Sequence, residues 1–199
     1  VRVSPIITTV AMLQGLTGLS LVMTGGQPRR NFEPEYTALG TGSVFGIPSI
    51  ALLAAAVMIL GAFLLNRSTL GRYAVAIGGD TRAAYLSGIR VKGYNASTYV
   101  LNSVFTALAA IALSSRTGSG LPDLGAGIEI TTIAAVFIGG VAWGGGRGSM
   151  LGVLLGVLLI GVIGNGLDLR SVNSNIQIII TGLLMAAAVA LGMLRRKRN

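Results

Sequence analysis

The sequence has no cysteine and no histidine, so thiolate or imidazole metal sites, disulfides and histidine-based nucleophilic triads are excluded at the outset. It also offers no paired acids on one side of a helix for acid–base work. Neither an enzyme nor a metal or cofactor site is therefore expected. A glycine-rich run, Gly144, Gly145, Gly146 and Gly148 before Ser149, suggests a phosphate loop, but it lacks the GxxxxGK[ST] spacing and the lysine that would reach a phosphate. The chain is not expected to bind ATP by itself. What remains is neutral polar chemistry in apolar surroundings: Asn102, Ser103 and Thr106 lie mid-way along one apolar stretch, and Asn165 lies near the end of another. Such groups either bond neighbouring helices together or line a path for a neutral hydroxylated solute.

The elements that must position these residues are membrane spans. The chain is 52% hydrophobic and 11% charged, with a mean hydropathy of +0.77, whereas soluble domains carry about a quarter charged residues. Long uncharged windows cover residues 3–28, 44–66, 94–115, 130–146, 148–167 and 171–194, most of them near the roughly 20 residues that cross a hydrocarbon core. The expectation is an all-α, polytopic transmembrane helix bundle of about six spans, forming a single transmembrane domain over residues 1–199. The window 130–146 is the shortest and ends in glycines, so a half-helix or re-entrant segment competes with a full span there.

The net charge of +9 would suggest nucleic acid in a soluble protein; here the distribution of charge relative to the spans matters more. With alternating crossings, Arg2, Arg67, Arg72, Arg82, Arg90, Lys92, Arg147, Arg195, Arg196, Lys197 and Arg198 fall on one side, and Arg29, Arg30, Arg116 and Arg170 on the other. Eleven of fifteen basic residues thus share a side, which the positive-inside rule assigns to the cytoplasm, with both termini. The basic tail is expected to anchor the last helix in the lipid bilayer, and no nucleic acid is expected. No removable signal peptide is visible at the start.

The longest cytoplasmic segment, residues 67–92, carries a local helix signal. Asp80 is a good N-cap, residues 81–87 contain helix formers, and Gly88 suits a left-handed stop. A two-turn helix of that kind is marginal in water. It needs a partner for Ala83, Ala84, Tyr85 and Leu86, or else the loop only sets orientation and touches anionic lipid. Downstream, Gly148, Gly152 and Gly156 recur at intervals of four, an arrangement that lets helix backbones approach closely. Asn165, Asn173, Asn175 and Gln177 gather at the last external turn with Asp168 and Arg170, as caps or as polar ligand contacts.

The stretch LGRYAVAIGGDTRAAYLSGIRV resembles the conserved loop of the ribose-type permease family of ABC importers, GRY-x-x-A-x-GG-N-x-x-A-A-x-x-S-G-I-x-V. Gly71, Arg72, Tyr73, Ala76, Gly78, Gly79, Ala83, Ala84, Ser87, Gly88, Ile89 and Val91 match, and Asp80 stands where that pattern has Asn. The likeness continues through Gly125-Ala126-Gly127-Ile128-Glu129, Gly139-Gly140, Gly146-Arg147-Gly148 and Asn165-Gly166-Leu167. The resemblance implies a non-catalytic permease subunit in the bacterial inner membrane. It implies that the loop, with Gly71, Arg72, Asp80, Ala83, Ala84, Ser87 and Gly88, couples to a separate ABC ATPase subunit. It further implies a second permease subunit, a periplasmic substrate-binding protein and uptake of a monosaccharide or related polyol. Family members carry further helices ahead of this region, so the chain resembles the C-terminal two-thirds of a permease.

Asn102, Ser103, Thr106 and Asn165 are then the candidate pathway residues. Two other functions compete: an ion-coupled carrier or channel, and a non-transporting permease scaffold. A carrier of that kind commonly buries ionisable groups in its spans, and none lies centrally here.

Overall fold

The computed structural model describes residues 5–184 except 31, 143 and 174, together with residue 186. Arg2 and the basic tail 195–198 lie outside the described residues. The described chain is mostly helical: α1 (Pro5–Thr24), α2 (Pro34–Thr41), a hairpin of β1 (Ser43–Val44) and β2 (Ile47–Pro48), α3 (Ser49–Arg67), α4 (Thr69–Gly79), α5 (Thr81–Leu86), α6 (Val91–Thr117), α7 (Ile128–Ile138), α8 (Met150–Leu169) and α9 (Asn175–Leu184).

Four of these helices, α1, α3, α6 and α8, are long and apolar enough to cross a membrane. Their charges sit only at the ends, at Arg67, Lys92, Arg116 and Asp168. The window 130–146 is resolved in favour of the half-helix: α7 has 11 residues, about 16 Å at 1.5 Å per residue, against a hydrocarbon core of about 30 Å. Glycine explains the stop. Gly140 takes a left-handed φ of 83°, and the amides of Gly140 and Val141 bond back to the carbonyls of Phe137 and Val136. That pair of bonds is a Schellman closure.

The chain divides into two compact units, residues 1–54 with 104–126 and residues 55–103 with 127–199. In the first, α2 is seated on the C-terminal part of α6. The fully buried Ser115 hydroxyl donates to the Tyr36 carbonyl, the Tyr36 and Ser114 hydroxyls bond each other, and Gly40 meets the backbone of Ser115 and Arg116. Arg29 and Gly120 exchange amide–carbonyl bonds of 2.9 and 2.8 Å, tying the loop after α1 to the loop after α6. The segment between the first two apolar windows therefore holds a helix and, with the start of the second window, a hairpin. Pro34 at the first helical position and Glu35 in the first turn were the sequence signals for that helix.

In the second unit, α7 packs on α8 through small residues. Ala134 and Ala135 are buried, a Cβ on Gly139 would lie 2.5 Å from the Gly152 carbonyl oxygen, and Gly156 abuts the Ala135 carbonyl. Backbones this close gain dispersion and weak polar contacts that larger side chains would block. Gly148 does not share that helix face: Ser149 is the N-cap of α8, its hydroxyl accepting from the Gly152 amide at 3.0 Å, so Gly148 precedes the helix and fits against Val141 instead.

Candidate functional site

The segment 67–92 forms two helices where one was expected. Ser68 caps α4, accepting from the Gly71 amide at 3.1 Å while donating to the Leu64 carbonyl. Gly71 lies directly on the carbonyls of Leu64 and Leu65, so the chain turns sharply out of α3 where only a residue without Cβ fits. The sequence did carry this helix, in a serine cap followed by Leu70, Tyr73, Ala74 and Ile77 at helical spacing. Tyr73 meets Tyr94 of α6 edge to face, with ring centroids 4.7 Å apart.

Asp80 joins the two helices by capping both. Its amide donates to the Ala76 carbonyl and closes α4, while its Oδ1 accepts from the Arg82 and Ala83 amides at 2.8 and 2.9 Å and opens α5. Gly88, with φ 82°, closes α5: its amide donates to the Tyr85 carbonyl and the Ile89 amide to the Ala84 carbonyl. No residue is left over as a flexible link between the helices.

Burial sorts the candidate coupling residues into two groups. Gly71 and Ala84 are interior, Ala84 being 5% exposed, and neither side is available to a partner. Arg72, Asp80, Ala83, Ser87 and Gly88 are exposed. The apolar groups that α5 presents are Tyr85 and Leu86, 69% and 77% exposed. The packing partner expected for Ala84 is thus the chain's own interior, which its small side chain lets α5 approach.

The glycine-rich run 144–148 lies against this segment. A Cβ on Gly78 would stand 2.5 Å from the Gly146 nitrogen, and one on Gly146 would stand 2.5 Å from the Gly79 nitrogen. The contact brings Arg147 to the same end of the unit as Arg72, Arg82, Arg90 and Lys92. Nothing in the spacing of these glycines in sequence signals their meeting, because it depends on where α7 stops.

The candidate pathway residues sit on two helices. Asn102, Ser103 and Thr106 lie on exposed positions of α6, and Asn165 on an exposed position of α8. The Ser103 hydroxyl donates to the Tyr99 carbonyl one turn back. At the turn after α8 the polar cluster acts in capping: Asn173 Oδ1 accepts from the Asn175 amide at 2.9 Å, and Gln177 Nε2 donates to Asp168 Oδ1 at 2.7 Å and to the Val172 carbonyl at 3.1 Å.

Comparison with known proteins gives one family and a consistent set of relatives. The family described as branched-chain amino acid transport system / permease component matches residues 1–189. The chain is 38% identical over its whole length to the ribose import permease protein RbsC of Bacillus subtilis, of which it covers 61%. It is 36% identical, again over its whole length, to the probable ABC transporter permease protein YphD of Escherichia coli, covering 60% of it. With the L-arabinose transport system permease protein AraH of Escherichia coli it shares 34% identity over 98% of its own length and 60% of that protein. The chain thus spans about three fifths of the length of these curated relatives. No solved structure matches.

Proposed function

The chain belongs to the permease family of ATP-driven uptake systems, and from that premise we propose that it forms part of the transmembrane pathway through which a monosaccharide or related polyol enters a bacterial cell. The observation that carries this reading is α5. It is a helix too short to persist in water by itself, held by its own caps and presenting Tyr85 and Leu86 outward. An exposed aromatic and aliphatic pair on a pre-formed helix suits docking onto a soluble subunit, here an ATP-binding-cassette ATPase on the cytoplasmic side.

The orientation of the proposal follows from charge. Arg72, Arg82, Arg90, Lys92 and Arg147 gather at one end of the second unit, while Asp168 lies in the last turn of α8 and Arg170 just past it, about 30 Å along the helix. The basic end is cytoplasmic under the positive-inside rule. A periplasmic binding protein would deliver solute to the other side, and a second permease subunit would complete the pathway.

The solute class follows from what the long helices lack. An amino acid would bring a carboxylate and an ammonium into the membrane, and an unpaired charge there costs several kcal/mol or more. The long helices offer no Asp, Glu, Lys or Arg away from their ends. Asn102, Ser103, Thr106 and Asn165 suit hydroxyl groups instead, and the named substrates of two relatives, ribose and L-arabinose, are neutral pentoses. Absence of a central charge also argues that energy comes from another subunit and not from a co-transported ion.

The test is co-purification with a co-expressed ATP-binding-cassette subunit. Wild-type chain is expected to retain it, and Tyr85→Asp with Leu86→Asp to lower retention at least tenfold, because two charges replace an apolar contact without disturbing buried residues. Undiminished retention would remove α5 as the docking element. Failure of the wild-type chain to bind any such subunit would favour a non-transporting scaffold.

A further inference from the structure

We propose that Gly78, in the last turn of α4, and the Gly145–Gly146 turn form a backbone joint that transmits displacement of the α4–α5 pair to α8; this rests on the importer reading above. The contact is unusually direct. A Cβ on Gly78 would lie 2.5 Å from the Gly146 nitrogen, 3.1 Å from the Gly145 carbonyl carbon and 3.3 Å from the Gly145 Cα, and one on Gly146 would lie 2.6 Å from the Gly79 Cα. Real Cβ atoms do not come that close to main-chain atoms, so main chain touches main chain with no side chain between. Gly78 lies within a helix and has no positive φ; its residue type answers to this approach and not to its dihedral angles. Glycine is otherwise a poor helix former.

Both sides of the joint are stiff. On one, α4 is fixed at its start by Ser68 and by Gly71 lying on α3 carbonyls, and Asp80 caps α4 and α5 together. On the other, the turn is closed by the Ala142 amide on the Arg147 carbonyl and the Gly145 amide on the Ala142 carbonyl, both 2.9 Å. Gly148 then fits against Val141, and Ser149 caps α8 directly after it. Further along, Gly152 and Gly156 lock α8 to α7 backbone against backbone. A push on α5 thus meets a continuous series of main-chain contacts from α4 through the turn to the α7–α8 pair. Long side chains absorb a displacement by changing rotamer; a main-chain contact has no such slack, and packed interfaces respond by moving as bodies. Gly78 is a positioning residue for transport, acting through α8.

The test compares Gly78→Ala with Gly161→Ala, a helical glycine of α8 whose added Cβ would meet nothing within 4 Å. With any cysteines elsewhere in the transporter replaced, a single bimane at Leu151→Cys, an exposed position in the first turn of α8, reports on α8 without any substrate. The measurement is made in the complete transporter in proteoliposomes, nucleotide-free and after vanadate trapping of the ATPase. With the native joint and with Gly161→Ala, bimane emission is expected to shift on trapping. With Gly78→Ala the shift should fall at least fivefold while ATPase retention and ATP hydrolysis stay within twofold, a separation that a merely structural defect would not produce. Equal shifts in the two variants overturn the joint but leave the importer reading standing, as does an unresponsive bimane with the native joint. A Gly78→Ala chain that no longer accumulates or binds the ATPase assigns the contact to folding alone and overturns transmission. Absence of ATPase binding by the native chain overturns the importer reading itself, and the joint with it.

Discussion

Asp80 concentrates two duties in one side chain and backbone, and its chemistry predicts how substitutions divide. Its carboxylate Oδ1 accepts two amides at the start of α5, a capping role that asparagine performs about as well and alanine loses at a cost of about 1 kcal/mol. Asp80→Asn is expected to preserve ATPase retention, and Asp80→Ala to weaken it several-fold, as read by titrating the ATPase against the reconstituted chain; equal loss in both would tie the effect to charge and not to capping. Phe45 makes the opposite case. It is fully exposed with φ 54°, beside Gly46 at φ 79°, in the two-residue turn of the hairpin. Turns with two positive φ values favour Asn, Asp or Gly, and left-handed backbone costs other residues roughly 1–2 kcal/mol. Phe45→Asn should therefore leave the thermal midpoint in detergent unchanged or higher, measured by scanning fluorimetry; a fall would show that the ring is seated on another molecule. Asp80 and Gly88 were legible in sequence because caps act within three or four residues. Phe45 was not, since an aromatic there contradicts the local preference.

Helix length decides what each element can do in a membrane, and α7 shows how glycine sets it. Its Gly139-Gly140 stop ends the helix after Ile138, and the same Gly139 accepts the close approach of Gly152. A bulky residue at Gly156, whose Cα faces the Ala135 carbonyl, must part the two helices. Gly156→Leu is expected to destabilise the α7–α8 pair by about 1–3 kcal/mol through overpacking, while Gly164→Leu, with open space at its Cβ, should be nearly neutral. Comparative proteolysis or thermal melting of the two variants checks this, and similar losses would refute the packing account. The long spans were legible because twenty apolar residues have few other uses, and the window 130–146 was legible as doubtful because of its glycines. Gly148 was misplaced on the α8 face because a four-residue interval ignores where the helix begins; Ser149 as cap settles it. The α4 helix escaped notice because the stronger Asp80 and Gly88 signals drew the whole loop into one short helix.

Topology binds these elements into a single expectation about sides of the membrane. Positions separated along one spanning helix must report to opposite compartments if the helix crosses, and α8 offers such a pair in Arg147 before it and Arg170 after it, both exposed. Its 20 residues give about 30 Å, enough to cross the core with little tilt. The turn that carries Arg147 touches Gly78 and Gly79, so labelling at Arg147 also reports the side of the α4–α5 segment. Residues 1–199 carry no native cysteine, and with any elsewhere in the protein replaced, Arg147→Cys and Arg170→Cys can each be challenged with a membrane-impermeant maleimide in intact cells and in everted vesicles. Arg170→Cys is expected to react in cells, and Arg147→Cys only in vesicles. The reverse pattern would place α5 outside, where no ATPase can meet it, and would overturn the energy-coupling reading whatever the solute. Reaction of both from one side would mean that α8 does not cross, and a helix of 20 strongly apolar residues would then need a different path. Charge distribution predicts the first outcome, since Arg67, Arg72, Arg82, Arg90 and Lys92, five of the six described basic residues expected on this side, lie within the single segment from Arg67 to Lys92. Moving them across would require translocating that whole segment against the positive-inside bias.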